Sequence, residues 1–475
     1  MTAVHVLLVA YAVVLVGAGL WVTRRVRASG DFFVAGRALP AGMVFATLLA
    51  ANIGAGSTVG ATGLGYRHGL SAWWWSGSAA IGCLVLGLLV APRMHRLASE
   101  HGFFTVGDFL EWRFDRSVRV TIAVILWVGT AALLAGQLIA MAWAFEVIAG
   151  LPRFWGALLS AVIVTAYFSG GGLVASAWVN LLQLGTLLVG FLLAVPLAWS
   201  AGGGWAGLRG AAGAEAAVDY GSLGGMGMAG ILGLVVVFVP SFIVSPGLIQ
   251  KTFGARSAQA ASRAALWNAA ALAVFAFVPA ILGMAMRSVE PGLANSEMAL
   301  PRLTMDVLPP WLGGLGLAAL FAAELSSADA ILFMLSTSLS RDLYQAVLRP
   351  GATDAQLLRV GRGAAVAGGA LGLLLALVLP SVVAALKLFY GIMTAALFVP
   401  LVVGLFSSRP GAGHARLAIA LSIAGTGLGL IALAGTPSRE WLPSVIGMGL
   451  ALGGFATAWL RGPTGAGGAP SDPTD

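Results

Sequence analysis

Charge is what this sequence lacks most. Only 9% of its 475 residues are Asp, Glu, Lys or Arg, where a soluble domain carries about 25% to keep its surface wet. A soluble multi-domain enzyme is therefore excluded. Cysteine is nearly absent too. The single thiol, Cys83, cannot form an intrachain disulfide, and its apolar surroundings make it an inert packing group. No cysteine/histidine spacing suggests zinc or iron, and no glycine-rich loop has the strand-then-helix context of a nucleotide site. No span pairs a nucleophile with a base, so an enzyme is not expected. The first apolar run has no basic residues before it, which predicts a retained first helix rather than a cleaved signal.

What the chain has is hydrophobicity: 59% apolar residues and a mean hydropathy of +0.94. The apolar residues fall in runs of about 20, the length an α-helix needs to cross a bilayer core, and 66 glycines let such helices approach closely. The expected fold is an all-α polytopic membrane protein with thirteen spans, roughly 4–23, 42–66, 71–92, 120–148, 154–170, 174–198, 227–253, 264–286, 311–338, 360–379, 381–406, 415–434 and 441–460. An outside N-terminus puts nineteen of the 26 basic side chains in the cytoplasm, among them Lys251, and the positive-inside rule favours that choice. The net charge of +8 is then an orientation signal, and no basic face suited to nucleic acid exists. The loop 94–119 is expected to hold an amphipathic helix around Phe103–Phe114 on the cytoplasmic surface, and the external segment 287–310 another short helix. The tail 461–475 is Gly/Pro/Asp/Ser-rich and expected to be disordered.

Two spans carry a break in the middle: Ala50 to Ser57 in the second, and Pro240 to Gly247 in the seventh. Glycine costs a helix interior about 1 kcal/mol and proline about 3, and backbone freed at membrane depth survives only when buried in protein or lining a cavity. Each break opens a block of five spans, 42–198 and 227–406. An odd number gives the second block the opposite topology, the arrangement of inverted-repeat transporters that hold ion and substrate at the breaks. The helices 4–23, 415–434 and 441–460 are then peripheral to a core of 42–406.

Two acidic residues lie deep in a span: Glu324 and Asp329, both in the ninth. An intramembrane carboxylate points to function by default, so these two are coupling candidates. Ala323, Ser326 and Ser327, at i, i+3 and i+4, share one helix face between them. Hydroxyl and carbonyl oxygens there suit a small hard cation.

These residues and others like them resemble the sodium:solute symporter family, whose members include proline, pantothenate, sialic acid and sodium/sugar transporters. The matching motifs are Ser29 to Arg37 (SGDFFVAGR), Ala50-Ala51-Asn52-Ile53, Tyr167 to Gln183 (YFSGGGLVASAWVNLLQ), Ser326-Ser327-Ala328-Asp329 and Arg341-Asp342-Leu343-Tyr344. The resemblance covers roughly residues 1–460 and implies a LeuT-like 5+5 inverted-repeat core. It also implies a coupling Na⁺ held by the carbonyls of Ala50, Ile53 and Ala323 and the hydroxyls of Ser326 and Ser327. Where family members that use a second sodium have Thr-Asp before Gln183, this chain has Val179-Asn180, so one Na⁺ per cycle is expected. Glu324 departs from the apolar residue usual there.

The family's substrate site lies beside the breaks, which makes Asn52, Ser57, Trp75, Ser76, Gln137, Ser245 and Tyr390 substrate candidates. Trp73 and Trp74 read as interfacial anchors and Lys387 as a snorkelling side chain. Ser76 and Ala79, where sugar transporters carry polar groups, disfavour a sugar. The expectation is Na⁺-coupled symport of a small organic solute across the plasma membrane, with the lipid bilayer and the solute as partners and no obligate protein partner. Proton coupling through Glu324 or Asp329, or a transporter-like sensor, are the competing readings.

Overall fold

Helix breakers and small side chains decide where this chain bends, because nearly every residue between them is apolar enough to continue a membrane helix. The computed structural model describes residues 35–168, 173–212 and 220–460. Among the described residues the chain forms helices, joined by one isolated bridge between Leu39 and Ala255. Nine helices there are long and apolar enough to cross a membrane, and Ala41–Asn52, Arg153–Ala166 and Leu442–Ala458 are shorter apolar helices. The expected first span, 4–23, the Ser29 motif (apart from its last residues) and the tail 461–475 lie outside the described residues, so the count of thirteen is not established. The stretch Gly56–His101 contains spans two and three, turned at Gly69 (φ 63°, ψ −141°), against which the backbone of Tyr220 packs.

Both predicted breaks are present. Span two runs helically over Ala41–Asn52, leaves the helix at Ile53 (φ −97°, ψ 89°) and resumes from Gly56. It restarts with a wide turn in which Gly60 N–H donates to Ala55 C=O at 2.8 Å, a one-residue bulge of the kind that accompanies functional sites. Span seven stays helical through Pro240 to Ile243, breaks at Val244 and Ser245, and restarts at Pro246. Proline suits that first position because its missing N–H would have no partner there.

Spans two, three, seven and eight pack on one another; spans four, five, nine and ten form a second group. Span six lies against span nine, and span eleven against span four. Span nine is the most enclosed, 89% buried over its most apolar stretch, whereas span six and span ten are 39% buried and span twelve 33%. Their outward side chains, such as Leu192, Leu374, Val378 and Ile431, are exposed apolar residues that only a lipid surround explains.

Two elements differ from expectation in detail. The helix in the loop after span three spans Val106–Arg113 and is capped by a reciprocal Thr105–Asp108 pair. Its Phe109 and Leu110 are fully buried in the protein rather than turned to the bilayer. Lys251, counted among the cytoplasmic basic residues, is only 2% exposed within the second half of span seven; its Nζ donates to Thr47 C=O at 2.9 Å. A buried ammonium needs such a partner.

Spans two and eight touch backbone to backbone. A Cβ on Gly283 would stand 2.2 Å from Thr62 O and 2.4 Å from Tyr66 N, and one on Gly65 would stand 2.6 Å from Ala280 O. Backbone cannot yield as a side chain tip can, so overpacking here costs about 1–3 kcal/mol or more. Gly283→Ala is expected to lower the melting temperature of the detergent-purified protein by several degrees. Gly427→Ala, whose Cβ would meet nothing within 4 Å, is expected to leave it unchanged; differential scanning fluorimetry reads both.

Candidate functional site

The helix-ladder partners lost at the break of span two are replaced by side chains of spans four and nine. Ser326 Oγ lies 2.9 Å from Ala50 O and 3.0 Å from Ala323 O. Ser327 Oγ lies 3.3 Å from Ala50 O and 3.2 Å from Ala51 O. Gln137 Oε1, from span four, accepts from Ala55 N–H at 2.9 Å. A glycine at position 54 is what permits this: a Cβ there would stand 2.2 Å from Ser327 Oγ and 2.8 Å from Gln137 Oε1. Ala50, Ala323, Ser326 and Ser327 are thus brought together as expected. Ile53 is fully buried at the turn out of the helix, but the serine hydroxyls reach Ala51 rather than Ile53. The group is five residues rich in neutral oxygen, and each hydroxyl that now donates to a carbonyl would turn a lone pair to a cation placed among them.

Beside this group lies a cavity of about 40 Å³ lined by Asn52, Ser57, Trp75, Ser76, Gln137 and Tyr390, six of the seven predicted substrate candidates. Ser245 is not among them. Because span seven remains helical as far as Ile243, the face it turns to the cavity carries Phe238 and Phe242, one helical turn apart, and Ser245 serves instead as the hinge whose carbonyl accepts from Ile249 N–H at 2.9 Å. Leu386 also lines the cavity. Aromatic residues in an unbroken apolar run carried no sequence signal for a site. Trp75, Phe238 and Tyr390 form a continuous wall, with ring centroids 4.6 Å apart at each step. The Ser76 hydroxyl is buried without a hydrogen-bond partner among the described residues, as a group waiting on a ligand would be. Behind the wall, Asn268 Nδ2 lies 3.2 Å from Cys83 Sγ, so the thiol packs as a weak acceptor.

Trp75 also borders a much larger vestibule of about 830 Å³. Arg67, Arg287, Glu297 and Lys387 line it, and Lys387 reaches its rim to pair with Glu440 at 2.6 Å. Trp73 and Trp74 are tied down by their indole N–H groups, to Ala273 O and Leu223 O, each at 2.9 Å. Glu297 is 4% exposed and caps span eleven, accepting from Val382 N–H at 3.0 Å and Val383 N–H at 3.1 Å. Burial pushes its carboxyl above the usual carboxylate range, against the pull of those N–H groups.

The opposite face is closed. Arg119, at the start of span four, pairs with Asp108 at 2.7 Å, Glu111 at 2.8 Å and Asp342 at 2.8 Å. Thr105 Oγ1 donates to the same Asp342 oxygen at 2.6 Å. This knot joins the helix Val106–Arg113 to the ends of spans four and nine. Gln250 and Pro246, beyond the break of span seven, line a small cavity of about 50 Å³ above it.

The two intramembrane acids part company. Glu324 is fully buried and accepts from Thr58 Oγ1 at 2.9 Å, a partner with no signature in the sequence. Asp329 lies within electrostatic reach of the Lys251 ammonium. Of the Tyr167–Gln183 motif, residues 169–172 and several side chains lie outside the described residues; Asn180 and Gln183 are fully buried.

Comparison with known proteins bears on this geometry. The family model described as "SSF: Sodium:solute symporter family" matches residues 32–419. The sodium/glucose cotransporter of Vibrio parahaemolyticus is 28% identical over 87% of this chain and 82% of its own length. The sodium/pantothenate symporter of Escherichia coli is 28% identical over 87% of both chains. Among solved structures, the substrate-bound outward-open state of a Na⁺-coupled sialic acid symporter superposes with a TM-score of 0.81 at 19% identity, covering 98% of both chains. That likeness shows the fold, a LeuT-type one.

Two outcomes test the site's construction. Gln137→Ala leaves the Ala55 N–H without its acceptor, a cost of about 1–3 kcal/mol, and is expected to lower thermal stability and weaken solute binding together. Glu297, its carboxyl pushed by burial above its ordinary value, contributes stability fully below that ordinary value, and the contribution fades as pH rises through the elevated pKa. Melting temperature is therefore expected to decline over that window in the wild type, with a shallower slope in Glu297→Gln.

Proposed function

Since the chain belongs to the sodium:solute symporter family, and symport coupled to sodium is what that family does, we propose that its coupling Na⁺ binds among Ala50, Ile53, Ala323, Ser326 and Ser327. The observation that carries this reading is the convergence of Ser326 and Ser327 on the freed carbonyls of span two. One Na⁺ accompanies each solute, because Asn180 stands where an aspartate serves a second sodium in the family. The solute is a small organic molecule held between the aromatic wall of Trp75, Phe238 and Tyr390 and the polar groups of Asn52, Ser57, Ser76 and Gln137. These side chains carry no formal charge, which favours recognition through hydrogen bonds and ring contact.

The core comprises two inverted repeats, 42–198 and 227–406. The packing supports this division: span six on nine answers span four on eleven, and each group of four holds two spans from either repeat in corresponding positions. The vestibule opens to the outside of the plasma membrane, and the Arg119 knot faces the cytoplasm, where the basic residues concentrate. The N-terminus is then outside and the C-terminus inside.

Sodium bound between spans two and nine links the two groups of helices. It favours the state in which the vestibule is open, and solute binding beneath Trp75 completes the wall that closes it. Opening of the Arg119 knot releases both into the sodium-poor interior. Differential affinity is the requirement, since an ion that bound every state equally would shift nothing. Replacing both Ser326 and Ser327 with alanine removes two of the oxygens and is expected to abolish sodium-dependent solute uptake in proteoliposomes. Uptake unchanged in the double variant overturns the site. The solute itself is found by a thermal-shift screen of organic acids, amino acids and sugars with and without Na⁺, where a sodium-dependent hit identifies it.

A further inference from the structure

Glu324 is the polar group that the sodium site as drawn leaves unused. Its side chain is 0% exposed. Oε1 meets the Thr58 hydroxyl at 2.9 Å, but that hydroxyl lies equally close, at 2.9 Å, to Gly54 O, and it has one hydrogen to give. Oε2 is buried with no hydrogen-bond partner among the described residues, and the Ala55 N–H beside the carboxyl already donates to Gln137 at 2.9 Å. Buried carboxyl oxygens left in that condition are costly, and a native structure keeps them for a reason.

The location supplies one. Glu324 precedes Ser327 by three residues, so both project from the same side of span nine, one helical turn apart. Thr58 and Gly54 belong to the broken segment of span two whose carbonyls Ser326 and Ser327 already meet. The carboxyl therefore stands one turn along the same interhelical seam. The ligands assigned to the cation above are all neutral, three carbonyls and two hydroxyls. A cation held by neutral groups in a low-dielectric interior retains its full charge, which is expensive unless an opposite charge lies near. Glu324 is absent from the lining of the solute cavity, so a charged solute is not its partner.

We propose that Glu324 is the counter-charge of the coupling cation: the carboxylate, steadied by Thr58, neutralises the Na⁺ held by span two and span nine and thereby sets its affinity. This rests on the sodium site assigned above and adds to it a residue that acts through charge. Removing the charge weakens cation binding and leaves the solute's own contacts intact.

The test is a sodium titration of the purified full-length protein at fixed pH, followed by intrinsic tryptophan fluorescence, for wild type, Glu324→Gln, Glu324→Met and the Ser326→Ala/Ser327→Ala double variant. Glu324→Gln preserves shape and can still accept from Thr58. It is expected to raise the Kd for Na⁺ by roughly 10- to 100-fold, with solute affinity at saturating sodium unchanged. Glu324→Met, apolar and of similar length, is expected to show the same loss and serves if the glutamine variant does not fold. Sodium affinity as in wild type for either folded variant overturns the proposal. If sodium binding is lost in the serine variant but kept in the Glu324 variants, the counter-charge fails while the sodium site stands. If the Glu324 variants lose affinity and the serine variant does not, the cation lies elsewhere and both assignments fall.

Discussion

A helix interrupted at membrane depth leaves backbone groups that no water can satisfy, and much of this protein is arranged around that fact. The interruption at Ile53 to Ala55 is answered from two sides, by Ser326 and Ser327 on span nine and by Gln137 on span four. Those partners come from the other helix group, so the break is also the place where the two groups are joined. Glycine at position 54 is the steric condition for it, because any side chain there would occupy the space of the Ser327 hydroxyl. The same freed oxygens that would threaten stability are what a small hard cation requires, so structural necessity and the proposed ion binding share one set of atoms.

The second break, at Val244 and Ser245, works differently. The helix that follows it borders the small cavity above the Arg119 knot, since Pro246 and Gln250 line that space. Before the break, the helix presents Phe238 and Phe242 to the cavity beside the break of span two. The vestibule and the cavity meet at one residue, Trp75, which lines both, while the far side is held by several ion pairs on one arginine. A thin aromatic partition on one side and a charged knot on the other describe a carrier poised toward the vestibule face.

Buried charge is distributed with the same economy. Lys251 lies against the Thr47 carbonyl and within reach of Asp329, and Arg119 is surrounded by three carboxylates. Glu297 caps a helix start. Each of these has a charged or dipolar partner within the protein. Glu324 has only donors that it shares, the Thr58 hydroxyl with Gly54 and the Ala55 N–H with Gln137, which is why its role has to be sought in something that comes and goes.

Local pattern was enough to determine much of this protein. Runs of about 20 apolar residues specified membrane helices, proline and glycine marked both breaks, and the i, i+3, i+4 spacing put Ala323, Ser326 and Ser327 on one face. All of these depend on neighbours within one or two turns, and the family resemblance added the sodium reading and seven substrate candidates, six of which line the cavity. Contacts between distant segments were decided by tertiary structure alone. Thr58 meets Glu324 across 266 residues, and nothing near either one announces it. Lys251 counted as a cytoplasmic charge at the end of span seven, yet a carbonyl from span two and a nearby carboxylate make its burial tolerable. Ser245 read as a cavity residue because it sits at a break, yet the helix continues far enough to turn Phe238 and Phe242 inward instead. Periodicity tells which residues share a face, but which faces meet depends on how the helices pack, and that is a property of the whole chain.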